Sequence, residues 1–379
     1  MKRLIEWVIG LAALCIAMGC TASHANEPEG LRSIVARSFP AGNVAIGVAV
    51  HGKNLDADSA LRAIVDREFG YITPANEFKQ AVVYQWPQAA WNWKSADREI
   101  ERAKQQQQVV RIHGPVGPQV SKWMKQDERT PAEVSTMLEA WLPALCRRYA
   151  SEGPVRWLDV VNETVDIAGR WMGPKPGIAR ADSPWLMLGM SKEAGLEIPT
   201  YVLRAFELAN QHCGGLKLII NQHVITPPAV AKLKLLVAAV RAKGLRVDGI
   251  GWQAHADIGW QLLPGRMRWL TDLIDWAQAN QLEFHITEAN AYMPAGVSVL
   301  DERAQADTFV AILGALLERR ERGLVAWTLW HARDDQTDNA SRLGCLWNNA
   351  NQPKQAYFAV RDLLANPPPA LGPLPDTRR

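Results

Sequence analysis

Two glutamates, far apart in the chain, each end a run of apolar residues. Glu163 closes the segment Trp157-Leu-Asp-Val-Val-Asn-Glu163, and Glu288 closes Phe284-His-Ile-Thr-Glu288. A run of this kind is typical of a buried parallel strand, whose last residue emerges at the carboxyl end of the sheet. Two carboxylates that face each other across a barrel mouth are the minimum needed to cleave a glycosidic bond.

The elements that would position these acids are eight short apolar runs separated by stretches with helical periodicity. Proline near the first turn and glycine after the last turn punctuate the helical stretches. Eight alternations of strand and helix predict the α/β class and a single (β/α)8 TIM barrel, and neither a P-loop nor a dinucleotide fingerprint is present. The runs cover residues 44–50, 69–73, 109–113, 157–162, 216–221, 247–253, 283–287 and 324–330.

Polar side chains and one indole stand where these runs end. In a barrel the chemistry lies at the carboxyl ends of the strands, and such a rim suits a polyhydroxylated ligand. The rim residues are Asn76, Lys79, His113, Asn162, Glu163, Asn221, Gln222, His223, Gln253, His255, Glu288, Trp330 and Asp334.

The two acids are assigned different roles. A retaining glycosidase needs carboxyls ~5–5.5 Å apart, one protonated and one ionised. Glu163 is the candidate acid/base and Glu288 the candidate nucleophile. Asn162 is expected to bond the sugar 2-OH, and His255 to hydrogen-bond Glu288 and keep it ionised.

Other rim residues have simpler structural interpretations. His113 is expected to be a buried structural histidine, and Asp334 to tie the last loop together. Lys79 could equally be a surface lysine, and Trp330 a core residue.

Composition limits the class of partner. The formal net charge is +3, and Lys2 and Arg3 precede a mostly apolar stretch that predicts an export signal over residues 1–25. Nucleic-acid binding is not indicated, and the apolar stretch is too short for a convincing membrane span. We expect an exported monomer without metal or cofactor, with lipidation at Cys20 as an alternative.

The remaining chain predicts one catalytic domain over residues 26–366, followed by a proline-rich mobile tail over residues 367–379. Three cysteines remain after the predicted signal: Cys146, Cys213 and Cys345. Their odd number and wide spacing allow at most one disulfide.

Several motifs together resemble those of glycoside hydrolase family 10, the xylanase family, over nearly the whole chain after the signal. Residues 157–163 are similar to the family's acid/base segment, and Ile286-Thr-Glu288 to its nucleophile segment. The segment ending in Gln253-Ala-His255 and the stretch Thr73-Pro-Ala-Asn-Glu-Phe-Lys79 also match, as does the region around residues 352–358. The resemblance implies a retaining endo-β-1,4-xylanase that binds β-1,4-linked polysaccharide or oligosaccharide. On this match Asn76, Lys79, Asn162, Gln253, His255 and Trp330 are substrate-binding residues.

The chain also departs from the family pattern. Ala75 stands where the family has glutamate, Gln80 replaces an aromatic residue, and Gln222 replaces an aspartate. Gly117-Pro118 replaces a Trp-His pair, and Gln336-Thr337 a Ser-Trp pair. Each lost sugar hydrogen bond costs ~1–3 kcal/mol if its partner stays buried.

These departures keep alternatives open. The same mechanism could serve another β-glycan or a short or decorated xylo-oligosaccharide, or the chain could be a catalytically weakened glycan-binding protein. A metal-dependent hydrolase is disfavoured because neither His-x-His nor His-Glu-x-x-His occurs.

Overall fold

The structure is a computed structural model. The predicted export signal, Thr337 and the last seven residues lie outside the part that it describes. The described residues are 29–86, 90–126, 130–173, 183–193, 195–294, 298–336 and 342–372.

Eight parallel strands form a closed barrel, because the last strand, β11, pairs with the first, β1. Closure leaves the barrel without an exposed edge. All eight predicted strands and the predicted TIM barrel are confirmed. The barrel strands are β1 (Val44–Val50), β2 (Tyr71–Pro74), β3 (Val109–Ile112), β4 (Val155–Asn162), β7 (Lys217–Gln222), β8 (Gly249–Trp252), β10 (Glu283–Pro294) and β11 (Val325–Leu329).

Helices lie between successive strands and around the barrel. The helix that starts at Pro131 is preceded by a capping box: Glu133 N donates to the Thr130 hydroxyl, and Thr130 N donates to the Glu133 carboxylate. The helices are α1 (Leu31–Ser38), α2 (Gly52–Ala57), α3 (Ser59–Glu68), α4 (Gln80–Val83), α5 (Lys94–Gln106), α6 (Lys122–Gln126), α7 (Pro131–Tyr149), α8 (Thr200–His212), α9 (Pro227–Ala242), α10 (Arg266–Ala279), α11 (Val299–Leu317) and α12 (Gln355–Ala365). In the described part of the chain, none of these is long and apolar enough to cross a membrane.

A bulge in β4 changes which side chains face the barrel interior. Trp157 and Asp159 face inward, and Val160 joins the outer core beneath the helices. The register with β7 then shifts between Asp159 and Val161, so that Val161 also joins the outer core and Asn162 faces inward. A bulge inserts one residue and reverses the alternation beyond it.

A second register shift occurs in β10, between Ile286 and Ala289 on its pairing with β11. His285 and Thr287 face the interior, and Ile286 and Ala289 pack in the outer core. The irregularity brings Glu288 to the interior beside Thr287. Strict alternation would have placed Glu288 under the helices.

Four short strands were not predicted. Beyond Glu288, β10 extends past the carboxyl ends of the barrel strands, where it pairs with β9 and, at its own end, with β12. These paired segments form a wall beside the mouth. In this wall Arg342 forms an ion pair with Asp257 and lies 4.2 Å from the ring centroid of Tyr292. The additional strands are β5 (Met190–Glu193), β6 (Leu196–Pro199), β9 (His255–Asp257) and β12 (Arg342–Leu343).

One disulfide joins Cys146 in α7 to Cys213 after α8, whereas Cys345 is free and buried. The single bridge agrees with the limit set by the cysteine spacing. At the start of the predicted tail, Leu371 N donates to the carbonyl oxygen of Glu318 at 2.6 Å. Arg322 Nε donates to the carbonyl oxygen of Gly372 at 2.6 Å. Mobility of the tail beyond this point stays a prediction.

Candidate active site

Glu163 stands at the carboxyl end of β4 in a left-handed backbone conformation, with φ 56°. Its N–H donates to the carbonyl oxygen of Asn221 at 3.0 Å, which holds this uncommon conformation. Its Oε1 accepts from Gln253 Nε2 at 2.9 Å and from Asn162 Nδ2 at 3.2 Å. Glu163 is therefore a partly exposed carboxyl held by neutral amides.

Glu288 is almost fully buried, at 4% exposure. Its Oε1 accepts from Asn221 Nδ2 at 2.9 Å and lies 3.7 Å from His113 Nε2. Its Oε2 lies 3.2 Å from His255 Nε2, as predicted for His255. Glu288 is thus surrounded by groups that favour a negative charge.

Two amide side chains connect the acids. Asn221 Nδ2 donates both to Glu288 and, at 2.9 Å, to Asn162 Oδ1, and Asn162 Nδ2 donates to Glu163. Thr287 Oγ1 donates to Asn221 Oδ1 at 2.7 Å, which sets the orientation of the Asn221 amide. A continuous chain of hydrogen bonds therefore links the two carboxyls at the mouth of the barrel.

The charges near Glu288 decide its protonation. Burial alone raises the pKa of the Glu288 carboxyl. The electrostatic effect of His113, the hydrogen bond and charge of His255, and the Lys79 ammonium outweigh burial and lower that pKa to about 2. Glu288 is therefore ionised across the physiological range.

Asn290 orients His255. Its Nδ2 donates to the carbonyl oxygens of Trp330 and Gly344, at 3.1 and 3.3 Å, so its Oδ1 must face the other way. That Oδ1 accepts from Tyr292 Oη at 2.8 Å and from His255 Nδ1 at 2.9 Å. With Nδ1 donating, His255 donates through Nε2 to ionised Glu288 only as an imidazolium. Burial lowers the pKa of His255, but its bond and attraction to Glu288 outweigh burial and raise it.

We expect His255→Asn to raise the pKa of Glu288. The substitution removes the imidazolium charge and its Nε2 donor but leaves the carboxyl buried, so the balance shifts toward the protonated form. The ¹³C carboxyl resonance of Glu288, followed against pH, measures the shift. His212→Asn, at the far end of α8, is the matched control, and equal titration midpoints in the two variants would contradict the expectation.

A buried charged network supports the site from below. Arg111 Nε donates to Asp159 Oδ2 at 3.0 Å, and His113 Nδ1 lies 2.9 Å from the same oxygen. The carboxylate therefore fixes Nδ1 of His113 as the donor and turns its Nε2 toward Glu288. Arg111 Nη1 donates to His285 Nδ1 at 2.7 Å. His113 is thus buried and structural, as predicted, and it also lies beside Glu288.

The other predicted substrate-binding residues lie around the same mouth. Lys79 is buried and donates from Nζ to Asn76 Oδ1 at 3.0 Å, whereas Asn76 is exposed. Trp330 is partly exposed, and its ring lies edge-on to His113 and His255, with centroids 5.8 and 5.9 Å away. The structure thus brings Lys79 and Trp330 close to the acids, while their contacts with a sugar remain predictions.

Two further rim residues have contacts of their own. Asp334 accepts from Lys354 Nζ at 2.8 Å and from Cys345 N at 2.8 Å, which ties the last loop to the start of α12. His223 lies near both acids, and burial lowers its pKa. Its Nδ1 is buried and has no hydrogen-bond partner among the described residues.

Sequence inspection missed several residues of this site. Asn290 lies two positions after Glu288, and Gln119 is in a segment without a strand or helix pattern. His331 lies next to Trp330 and packs against His51, with ring centroids 4.7 Å apart and the ring planes tilted by 32°. Burial, then the charge of His51, lowers the pKa of His331 to about 3. Its φ of 69° marks it as strained, and strained backbone is common at functional sites.

A closed parallel barrel whose fourth and seventh strands bring two linked glutamates to its mouth has the pair of carboxyls that glycoside hydrolysis requires. Among the residues that the structure describes, no group of His, Cys, Asp and Glu could hold a metal ion. The family model of glycosyl hydrolase family 10 matches residues 34–363. The chain belongs to this family and is a glycoside hydrolase.

Characterised relatives are distant but align over most of the chain. Endo-1,4-beta-xylanase B of Thermotoga neapolitana is 25% identical, over 93% of this chain and 96% of that protein. Endo-1,4-beta-xylanase C of Phanerodontia chrysosporium is 27% identical, over 84% and 76%. Exoglucanase XynX of Acetivibrio thermocellus is 24% identical over 89% of this chain, which spans only 30% of that longer protein.

Solved structures share the fold. The endo-1,4-beta-xylanase XylE of Penicillium canescens superposes with a TM-score of 0.76 at 22% identity, covering 89% of this chain and 98% of that one. Xylanase 10B of Thermotoga petrophila, solved in complex with xylobiose, has a TM-score of 0.76 at 22% identity, covering 90% and 98%. At this level of identity the likeness concerns the barrel alone.

Proposed function

We propose that this chain is a retaining endo-β-1,4-xylanase that hydrolyses internal bonds of xylan by double displacement. The observation that carries the proposal is the different surroundings of two linked acids. Glu288 lies among cationic groups, and Glu163 is held by neutral amides at the open side. The names of the characterised relatives support xylan as the substrate.

In the first step, a carboxylate oxygen of Glu288 attacks the anomeric carbon and the bond to the leaving oxygen breaks. Because Glu288 is held ionised, the proton for that oxygen comes from Glu163. In the second step Glu163 takes a proton from water, the water oxygen attacks the anomeric carbon, and the bond to Glu288 breaks. Two inversions leave the β configuration unchanged.

The substrate contacts are part of the proposal. Trp330 would form an apolar wall for a sugar ring, and Lys79 and Asn76 would donate to its hydroxyls. Asn162 and Gln253 already hold Glu163, and their remaining hydrogen-bonding capacity would face the sugar between the acids.

Export is also proposed. The predicted signal over residues 1–25 supports it, and the Cys146–Cys213 disulfide is typical of proteins that fold in an oxidising compartment. A monomer remains our expectation.

Proton NMR of digests tests the function. We expect xylan to be cut with the β-anomer of the new reducing end appearing first and then mutarotating. Beechwood xylan, mixed-linkage β-glucan and xylohexaose form the panel, and product sizes separate internal cleavage from terminal release. An α-anomer as first product would contradict the retaining mechanism.

A second candidate substrate is another β-glycan or a decorated xylan. Gly117 and Pro118 leave no aromatic side chain on their segment, and the exoglucanase relative has a different activity from the xylanases. If β-glucan is cleaved and xylan is not, this alternative is supported. Binding without release of reducing ends from any glycan would instead indicate a weakened glycan-binding protein.

A further inference from the structure

The segment 114–121, between β3 and α6, lies directly against the residue next to the acid/base. Asn162 N donates to the carbonyl oxygen of Val116 at 2.8 Å. A Cβ built on Gly117 would lie 3.1 Å from Asn162 Cβ and 3.2 Å from its carbonyl oxygen. Glycine at this position therefore permits the close approach of the segment to β4.

Buried side chains hold this segment in place. Trp141 Nε1 donates to the carbonyl oxygen of Pro115 at 3.0 Å, and Trp185 Nε1 donates to that of Gly117 at 3.0 Å. Ser121 N donates to Gln80 Oε1 at 2.8 Å. These hydrogen bonds fix the backbone on both sides of Gln119, and so they fix the position from which its side chain extends.

The Gln119 side chain reaches the acid/base. Its Nε2 donates to Glu163 Oε1 at 3.4 Å, and its Oε1 accepts from Asn162 Nδ2 at 3.5 Å. If the Gln119 amide were flipped, its oxygen would face the Glu163 carboxylate and its nitrogen would face Asn162 Nδ2. Neither contact could be a hydrogen bond, so the contacts determine the amide orientation. Both bonds are long, and hydrogen bonds of this kind commonly shorten when substrate binds.

Three side-chain amides donate hydrogen bonds to the same oxygen of Glu163. Gln253, Asn162 and Gln119 each direct an N–H to Oε1, at 2.9, 3.2 and 3.4 Å. No hydrogen bond reaches Oε2 from the residues that the structure describes. An O–H on Oε1 would point its hydrogen at these donors, so the protonated form carries its hydrogen on Oε2.

We propose that Gln119 is a positioning residue that turns Glu163 so that Oε2 carries the catalytic proton into the mouth. The inference rests on the proposed function and deepens it. In the first step the Oε2–H bond breaks and the proton passes to the leaving oxygen as its bond to the anomeric carbon breaks. In the second step Oε2 takes the proton from water.

The test uses leaving groups that differ in their need for a proton. A 2,4-dinitrophenolate leaves without protonation, whereas an unsubstituted phenolate needs the acid. We expect Gln119→Ala to lower kcat/KM for phenyl β-xylobioside about 5- to 10-fold, as for one lost hydrogen bond to a charged or reacting group. For 2,4-dinitrophenyl β-xylobioside the expected change is less than about twofold.

Controls separate positioning from folding. Lys122→Ala, an exposed change three residues further along, should leave both substrates unaffected, and thermal unfolding should be similar in all variants. Gln119→Glu keeps the side-chain length but replaces the N–H donor with a carboxylate. Its kcat/KM for phenyl β-xylobioside should fall at least as far as that of Gln119→Ala.

The outcomes are distinguishable. Equal losses on both substrates, or no loss on either, would overturn the role of Gln119 while leaving the proposed function intact. A wild-type protein that turns over neither xylobioside would overturn the proposed function, and this inference with it.

Discussion

Glu288→Ala is expected to abolish turnover of every glycan that the wild-type protein accepts. Without a carboxylate below the anomeric carbon no covalent intermediate forms, so kcat should fall by more than about 10⁴-fold. Initial rates of reducing-end release measure the loss. The isosteric Glu288→Gln should lose activity equally, which separates loss of the nucleophile from a packing defect.

The control for this substitution is Glu197→Ala, an exposed glutamate in the β5–β6 hairpin. It should retain wild-type rates. Sodium azide gives the experiment a stereochemical readout, because azide that takes the place of the missing carboxylate attacks an activated aryl substrate from the same face. Glu288→Ala should then yield the α-glycosyl azide. Near-normal activity of Glu288→Ala on any glycan would refute its assignment as nucleophile.

Glu163→Ala is expected to show a loss that depends on the leaving group. General acid catalysis contributes ~10²–10⁴-fold, so turnover of an accepted glycan should fall by about that factor. With a dinitrophenyl glycoside the first step needs no acid and should remain fast. The second step lacks its base, so a burst of dinitrophenolate followed by slow turnover is expected.

Azide should restore the second step of Glu163→Ala, since an anionic nucleophile needs no general base. The product should be the β-glycosyl azide, because azide attacks an intermediate bound to Glu288 from the opposite face. The two alanine variants thus give opposite anomers. An α-azide from Glu163→Ala, or a β-azide from Glu288→Ala, would show that the two roles are reversed.

Much of this site could be predicted from the chain because barrel topology is regular. Once eight strands alternate with helices, residues at strand ends must converge on one face. Glu163 and Glu288 therefore lie at the same mouth although 125 positions separate them in the numbering. His255 contacts Glu288 as predicted, for the same reason.

Other contacts could not be predicted because they depend on local geometry between distant segments. Asn290 acts on His255 only because β10 continues past the barrel and pairs with β9. Gln119 reaches Glu163 only because two indoles and a glycine bring its segment against β4. Neither residue lies at the end of a predicted strand.

The amino-acid sequence by itself indicated the eight strands, the barrel and the two glutamates at its mouth, since apolar runs and their alternation with helical segments can be read along the chain. Only the tertiary structure decided which way those acids point. By strict alternation Glu288 would face the helices, and irregular pairing in β10 turns it inward. In β4 strict alternation from Trp157 and Asp159 would point residue 163 inward, but the bulge reverses the alternation and brings Asn162 inward instead. The left-handed backbone at Glu163 then turns its side chain back toward Asn162 and Gln253. A bulge depends on pairing with neighbouring strands, so side-chain direction at these two positions is a property of the assembled sheet.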